Sequence, residues 1–171
     1  MKDRDIRVCY EILTHCDDVT DKMEHFCIDY AAWEHDRYSR DSVLMSLGQI
    51  GEAVTNFKSS SESGYPPELE DIDWSGIRGM RNVLYHHYRT IDLDAVWKAV
   101  NEDVPALRSR LLQDDSIRGF YEMQLAEVRD FNLESELDSL AFLENASSLD
   151  TCQSRANPET RQTPEVDDDA R

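Results

Sequence analysis

Three side chains able to handle a phosphate diester fall within one short run, Arg81-Asn82-Val83-Leu84-Tyr85-His86-His87-Tyr88. Arg81 is a permanent cation whose planar fork of donors matches phosphate oxygens. His86 is the kind of side chain that both takes and gives a proton near neutrality. Tyr88 carries a hydroxyl that can bond a substrate or accept a transferred group. On a helix, at about 100° per residue, Arg81, Leu84, Tyr85 and Tyr88 share one arc, while Asn82 and His86 stack at i, i+4 on the adjoining arc. One copy of the chain therefore offers a strip of Arg, Asn, His and Tyr rather than a closed pocket. A second copy packed alongside would close it. The spacing taken alone also fits a solvated or interface face.

The elements around this run are predicted to be helices. Residues 5 to about 28 repeat apolar side chains at steps of three and four (Ile6, Cys9, Leu13, Cys16, Val19 or Thr20), and Met23, Phe26 and Cys27 prolong the stripe. Residues 30–40 read as a connection. Asp41 is the expected cap of a second helix with Val43, Leu44, Leu47, Ile50, Val54 and Phe57 on its apolar face. Gly48 and Gly51 lie inside that helix, where each costs about 1 kcal/mol relative to alanine, so close backbone approach is expected there. The Ser- and Pro-rich residues 59–67 read as a loop. Asp73 can cap a helix opening at Trp74 and carrying Ile77, Met80, Val83, Leu84 and the Arg–His run. Packing of a neighbouring helix or a second subunit would account for Gly76 and Gly79 within it. Asp92 is placed to cap a last helix with Leu93, Val96, Trp97, Val100, Val104, Leu107 and Leu111, which Pro105 should kink or split.

The chain has 171 residues with a formal net charge of −18 and a pI near 4.5. Such acidity is a poor footprint for a nucleic-acid binder, whose affinity comes largely from cation–phosphate contacts. Any RNA site must be locally positive, and Arg78, Arg81, Arg89 and Lys98 lie around the run to supply this. No apolar stretch is long enough for a membrane span, and Met1-Lys2-Asp3-Arg4-Asp5 does not read as a signal peptide, so a cytoplasmic location is expected. Cys9, Cys16, Cys27 and Cys152 include no CxxC pair. Their spacing matches no usual zinc pattern, so free thiols and no metal are expected, with Cys9 and Cys16 on a buried helix face. From residue 114 onward the chain carries a net charge of −10, leaving −8 for the first 113 residues. A short amphipathic helix over Ile117 to Val128, a second over Leu133 to Leu143, and disorder from Asn145 are expected. This acidic extension is either a solubilising tail or a segment that docks on a partner or masks a basic site.

Several linked pieces carry a resemblance: Ser46-Leu47-Gly48-Gln49-Ile50-Gly51-Glu52-Ala53, Trp74-Ser75-Gly76-Ile77-Arg78-Gly79-Met80-Arg81-Asn82, Tyr85-His86-His87-Tyr88, then Ile91-Asp92 and Val96-Trp97. In this order they resemble HepT-like proteins of the HEPN superfamily, over roughly residues 1–113. The resemblance implies an all-α HEPN-type bundle of four to five helices that dimerises. Residues 1–113 would form that domain, 114–144 an acidic, partly helical extension and 145–171 a disordered tail. It further implies a metal-independent RNA endonuclease, the toxin of a toxin–antitoxin system, with the Arg–His motifs of two protomers facing each other and no cofactor. By position, Arg81 would neutralise the scissile phosphate and His86 would move protons. Asn82, Glu52, Tyr85 and His87 would support them, and Arg78 and Arg89 would contact RNA; Glu52 reads equally as a buried structural acid, and Tyr85 and Arg78 either line the cleft or pack. Tyr88 would be the residue to which an MntA-like nucleotidyltransferase antitoxin attaches AMP, placing bulk and negative charge beside the site. His87 stands where relatives often carry an acidic or small polar residue, although spacing favours His86 as the catalyst.

Two further function classes compete with the toxin. A non-catalytic HEPN binding subunit would partner a nucleotidyltransferase without cutting RNA. A purely structural helical protein would be monomeric, with Arg81 and His86 mattering only for stability.

Overall fold

In a computed structural model the described residues are 1–57, 64–86 and 90–153, with side chains described through residue 136. All regular structure among them is helical, as expected for an all-α bundle. The chain divides into two compact units, Met1–Leu125 and Ala126–Arg171. The elements in order are α1 (Asp3–His25), α2 (Tyr30–His35), α3 (Arg37–Val54), a 3-10 turn (Pro67–Leu69), α4 (Trp74–His86), α5 (Leu93–Lys98), a π-helical turn (Ala99–Asp103), α6 (Val104–Leu111) and α7 (Asp115–Gln153). No helix among the described residues is long and apolar enough to cross a membrane.

In the first unit α3 is the central helix. It packs against α1, α2 and α4, and it buries Val43, Leu44, Leu47, Ile50, Ala53 and Val54 together with Ser46, Gly48 and Gly51. A helix covered on several sides needs apolar or small residues nearly all round, and that is what α3 carries. Its one buried hydroxyl, Ser46, accepts a hydrogen bond from Lys22 Nζ of α1 at 2.5 Å, so the polar group is not left unsatisfied. From α1, Cys9, Leu13, Cys16 and Val19 fill the core as predicted, joined by Val8 and Ile12, whereas Ile6 is only partly buried.

The first helix stops sooner than its pattern predicts. Cys27 adopts φ +49°, and the Ile28 N–H bonds back to Met23 O at 2.9 Å while Cys27 N–H bonds to Glu24 O at 3.0 Å. This left-handed cap reverses the chain. Phe26 is consequently left 45% exposed, off the stripe it was expected to prolong.

The segment 30–40 is helical, not a simple connection. Asp29 caps α2 by accepting the Ala32 N–H at 2.8 Å, and Trp33 becomes fully buried, donating its indole N–H to Leu93 O at 3.0 Å. Asp36, not Asp41, caps α3: one of its oxygens accepts from the N–H groups of Tyr38 and Ser39. Asp41 instead pairs with Arg37 one turn earlier.

Asp92 caps α5 as expected, accepting from Asp94 and Ala95 N–H. Pro105 has no N–H to give, and the run Leu93 to Leu111 breaks there into α5, the π-helical turn and α6. A charged cluster fastens the end of the bundle: Arg108 Nε donates to Asp17 Oδ1 at 2.6 Å, and the Tyr121 hydroxyl donates to Asp17 Oδ2. Thus α1, α6 and the start of α7 are tied together. Instead of two short helices after residue 114 there is one, α7, and between Gly119 and its end at Gln153 no proline or glycine interrupts it. The expected tail, 145–171, lies mostly outside the described residues, beyond Gln153.

Candidate active site on the fourth helix

Helix α4 is set in place at its N-terminus. Asp73 accepts the Gly76 N–H at 2.9 Å, as its position predicts. Trp74 is buried and donates its indole N–H to Leu69 O at 2.9 Å. Tyr65 stacks on Trp74 with ring centroids 5.7 Å apart, and Phe57 meets Trp74 edge-on at 5.0 Å. The same Tyr65 hydroxyl accepts a hydrogen bond from Arg78 Nη2, and the Arg78 guanidinium carbon lies 5.4 Å from the Tyr65 ring centroid. Arg78 is therefore held against the aromatic cluster at the start of α4. Residues 59–67 read as a loop by composition, and nothing in that composition assigns Tyr65 this role. Its only sequence signal is an aromatic beside two prolines.

Along its length α4 rests on α3. The glycines of α3 permit this: a Cβ built on Gly51 would lie 2.5 Å from the Arg81 Cβ, and one on Gly48 would lie 3.3 Å from the Tyr85 ring. The expected close backbone approach is present, and it falls at the Arg–His run. The glycines of α4 behave differently. The place of a Cβ on Gly76 is taken by its own capping residue, Asp73, and nothing described lies within 4 Å of a Cβ on Gly79. No neighbouring helix within the described chain accounts for either of them.

The structure brings Arg81, Glu52 and Tyr85 together. Arg81 Nε lies against Glu52 Oε2 in an ion pair. This nitrogen is buried, and the approach lies off its N–H direction, so the contact is one of charge without an aligned hydrogen bond. The Arg81 guanidinium carbon lies 5.7 Å from the Tyr85 ring centroid, close enough for the ring face to favour the cation. Arg81 keeps 31% of its side-chain exposure, so its outer nitrogens remain accessible.

Asn82 and His86 are exposed on α4, and His86 is the last residue of the helix. His86 lies five positions beyond Arg81, which leaves them about 140° apart around the axis at 3.6 residues per turn. The two point in diverging directions, and no hydrogen bond joins Asn82 to His86 among the described residues. His87, Tyr88 and Arg89 lie outside the described residues. Lys98, grouped with the site by sequence, pairs with Glu102 on its own helical run.

A cavity of about 520 Å³ opens on the flank of α4 that carries Ile77 and Met80. Leu47, Ile50, Val104, Leu107 and Arg110 complete much of its wall. None of Glu52, Arg81, Asn82, Tyr85 or His86 lines it. The chemistry-bearing strip is thus an open surface, not the walls of this cavity.

Residues 16–113 match the family model described as ribonuclease HepT-like. The chain is 31% identical over 112 residues to "Putative RNase MJ1380" of Methanocaldococcus jannaschii, covering 65% of this chain and 97% of that one. It is also 31% identical over 106 residues to "Putative RNase MJ0127" of the same organism, covering 61% and 83%. "Probable ribonuclease HepT" of Thermococcus cleftensis is 32% identical over 75 residues, covering 44% and 64%. No solved structure matches at a significant level.

Proposed function

The chain belongs to the HepT-like ribonuclease family, and from that premise we propose that it is a metal-independent RNA endonuclease whose cleft forms where the α4 helices of two protomers face each other. The observation that carries this reading is the divergence of Arg81 and His86 on one helix. A lone protomer does not converge them on one phosphate, whereas an antiparallel second copy would set an Arg81 beside a His86. The open space over Gly79 and the exposed Asn82 and Val83 leave room for that copy.

In such a cleft neutral His86 takes the proton of a 2′-hydroxyl, whose oxygen attacks the adjacent phosphorus. Arg81 faces the charge that builds on the phosphorane oxygens. The 5′-oxygen leaves with a proton from an imidazolium, giving a 2′,3′-cyclic phosphate and a free 5′-hydroxyl. DNA lacks the attacking hydroxyl and is left intact. With −18 overall, the protein holds RNA through few cations, so cutting weakens as salt rises. Asn82 would orient the imidazole or the phosphate, and Tyr85 would flank the cleft; supporting and RNA-contacting roles for His87, Arg78 and Arg89 rest on their places in the sequence around the Arg–His run.

The same reading places the chain in a toxin–antitoxin pair. An MntA-like nucleotidyltransferase would join the Tyr88 hydroxyl to the α-phosphate of ATP, releasing pyrophosphate. The resulting phosphodiester and adenosine beside Arg81 and His86 would block the cleft and repel RNA.

Wild type and His86→Ala, compared on RNA at low salt with EDTA, test the proposal. Fragments with cyclic-phosphate ends from the wild type alone are expected. No cutting by protein whose intact mass excludes bound AMP would overturn it and favour the non-catalytic binding subunit.

A further inference from the structure

The Glu52–Arg81 contact admits two opposite roles. Glu52 could compete with phosphate for the arginine, or it could hold the arginine in the orientation phosphate requires. Geometry separates the two. A competing carboxylate would take the outer fork, because both Nη groups donating in parallel is the strong bidentate arrangement. Glu52 instead lies on the inner nitrogen, Nε, which is buried. No described residue bonds Nη1 or Nη2. The guanidinium is further bounded by the Tyr85 ring on one side and, at the root of the side chain, by the backbone of α3 at Gly51. Three sides of Arg81 are therefore fixed by the protein, and the fourth, the outer fork, is left open.

We infer that Glu52 is a positioning residue for Arg81, holding the guanidinium by its inner edge so that the Nη pair is presented to a phosphate. This deepens the ribonuclease reading and rests on it. An arginine so oriented loses little freedom when the phosphorane forms, so the benefit falls on the chemical step more than on substrate binding. Glu52 need not touch the substrate. Its half-exposed carboxylate also partly offsets the Arg81 charge. That offset would weaken ground-state attraction for any phosphate and leave orientation as the contribution that survives.

The test is a double-mutant cycle with Glu52→Gln and Arg81→Lys on RNA cleavage, with thermal melts to verify folding. Glu52→Gln is expected to lower kcat roughly tenfold, a modest value for a misplaced catalytic group, while KM stays level or falls because the neighbouring negative charge is gone. It should have no further effect on Arg81→Lys, which lacks the inner nitrogen, since groups acting as a unit are not additive. Glu52→Asp, which keeps the charge but shortens the reach, should fall between, and it serves if Glu52→Gln fails to fold. Cleavage that is unchanged or faster in Glu52→Gln, or effects that add in the double variant, would overturn the inference. A second readout does not require activity: motion of the Arg81 guanidinium, followed by NMR relaxation at its Nε, should increase in Glu52→Gln. If the wild type cuts no RNA, the ribonuclease reading fails, and this motion alone decides whether Glu52 fixes Arg81. Unchanged motion sinks the contact as well.

Discussion

Gly51 and Arg81 are in contact across the α3–α4 interface with no room for one more carbon: a Cβ on Gly51 would stand 2.5 Å from the Arg81 Cβ and 3.1 Å from Ile77 O. Both obstacles belong to the α4 backbone or to the root of a side chain, and neither can swing aside. Gly51→Ala must therefore push α4 away from α3. A loss of about 1–3 kcal/mol is expected, the usual range for overpacking, with RNA cleavage falling further than stability because Arg81 moves. Gly48→Ala is the control. Its Cβ would meet only the tip of the Tyr85 ring at 3.3 Å, and the ring is 53% exposed, so a shift of a few tenths of an ångström toward solvent relieves the contact. Urea unfolding and cleavage rates for both variants check this. Equal losses would mean that the α4 backbone is not the obstacle.

Much of this arrangement is legible in the amino-acid sequence because it depends on local chemistry. The stripes of α1 and α3, the caps at Asp73 and Asp92 and the break at Pro105 follow from helical period, short-range hydrogen bonding and a missing N–H. Two glycines one turn apart in α3 announce a close neighbour but do not say which. The start of α3 is misread because Asp36 and Asp41 are both suitable caps by type. The choice depends on Trp33, which is buried through a bond to Leu93 O some sixty residues away. The Arg81–Glu52 pair and the Tyr65–Arg78 contact are likewise tertiary, joining residues 29 and 13 positions apart. Each of those residues is visible in the chain, whereas its partner is not.

Asp17 accepts from both Arg108 Nε and the Tyr121 hydroxyl, and Arg108 Nη2 also donates to the Tyr121 oxygen at 3.3 Å. The bond to Asp17 holds the Arg108 pKa above its usual value, and burial, with that same carboxylate, raises Tyr121. Tyr121→Phe removes one donor and leaves the ion pair, so a loss of about 1 kcal/mol is expected. Asp17→Ala strands a part-buried arginine and costs more, about 1–2 kcal/mol after allowing for solvent screening. Since the three groups share one network, the double variant should lose less than the two single losses combined. Urea midpoints of the four proteins provide the check. Strict additivity would show that the Tyr121 hydroxyl acts independently of Asp17.

Cys9 and Cys16 face the core of α1 with no exposure, and burial pushes both thiols from 9.0 up to about 12, with Asp5 and Asp17 adding to the effect. The folded chain keeps these protons at pH values where the unfolded chain releases them. The unfolded state thus binds fewer protons between about 9 and 12, and stability must fall as pH rises through that window. Below pH 9 neither thiol contributes a slope. The thiolate is also the reactive form, so alkylation at pH 8 should mark exposed Cys27 and spare Cys9 and Cys16 until the protein is unfolded. Peptide mass mapping after brief labelling distinguishes the sites. Rapid modification of Cys9 or Cys16 in the native protein would mean that the α1 face opens without global unfolding, and the predicted loss of stability above pH 9 would then be correspondingly small.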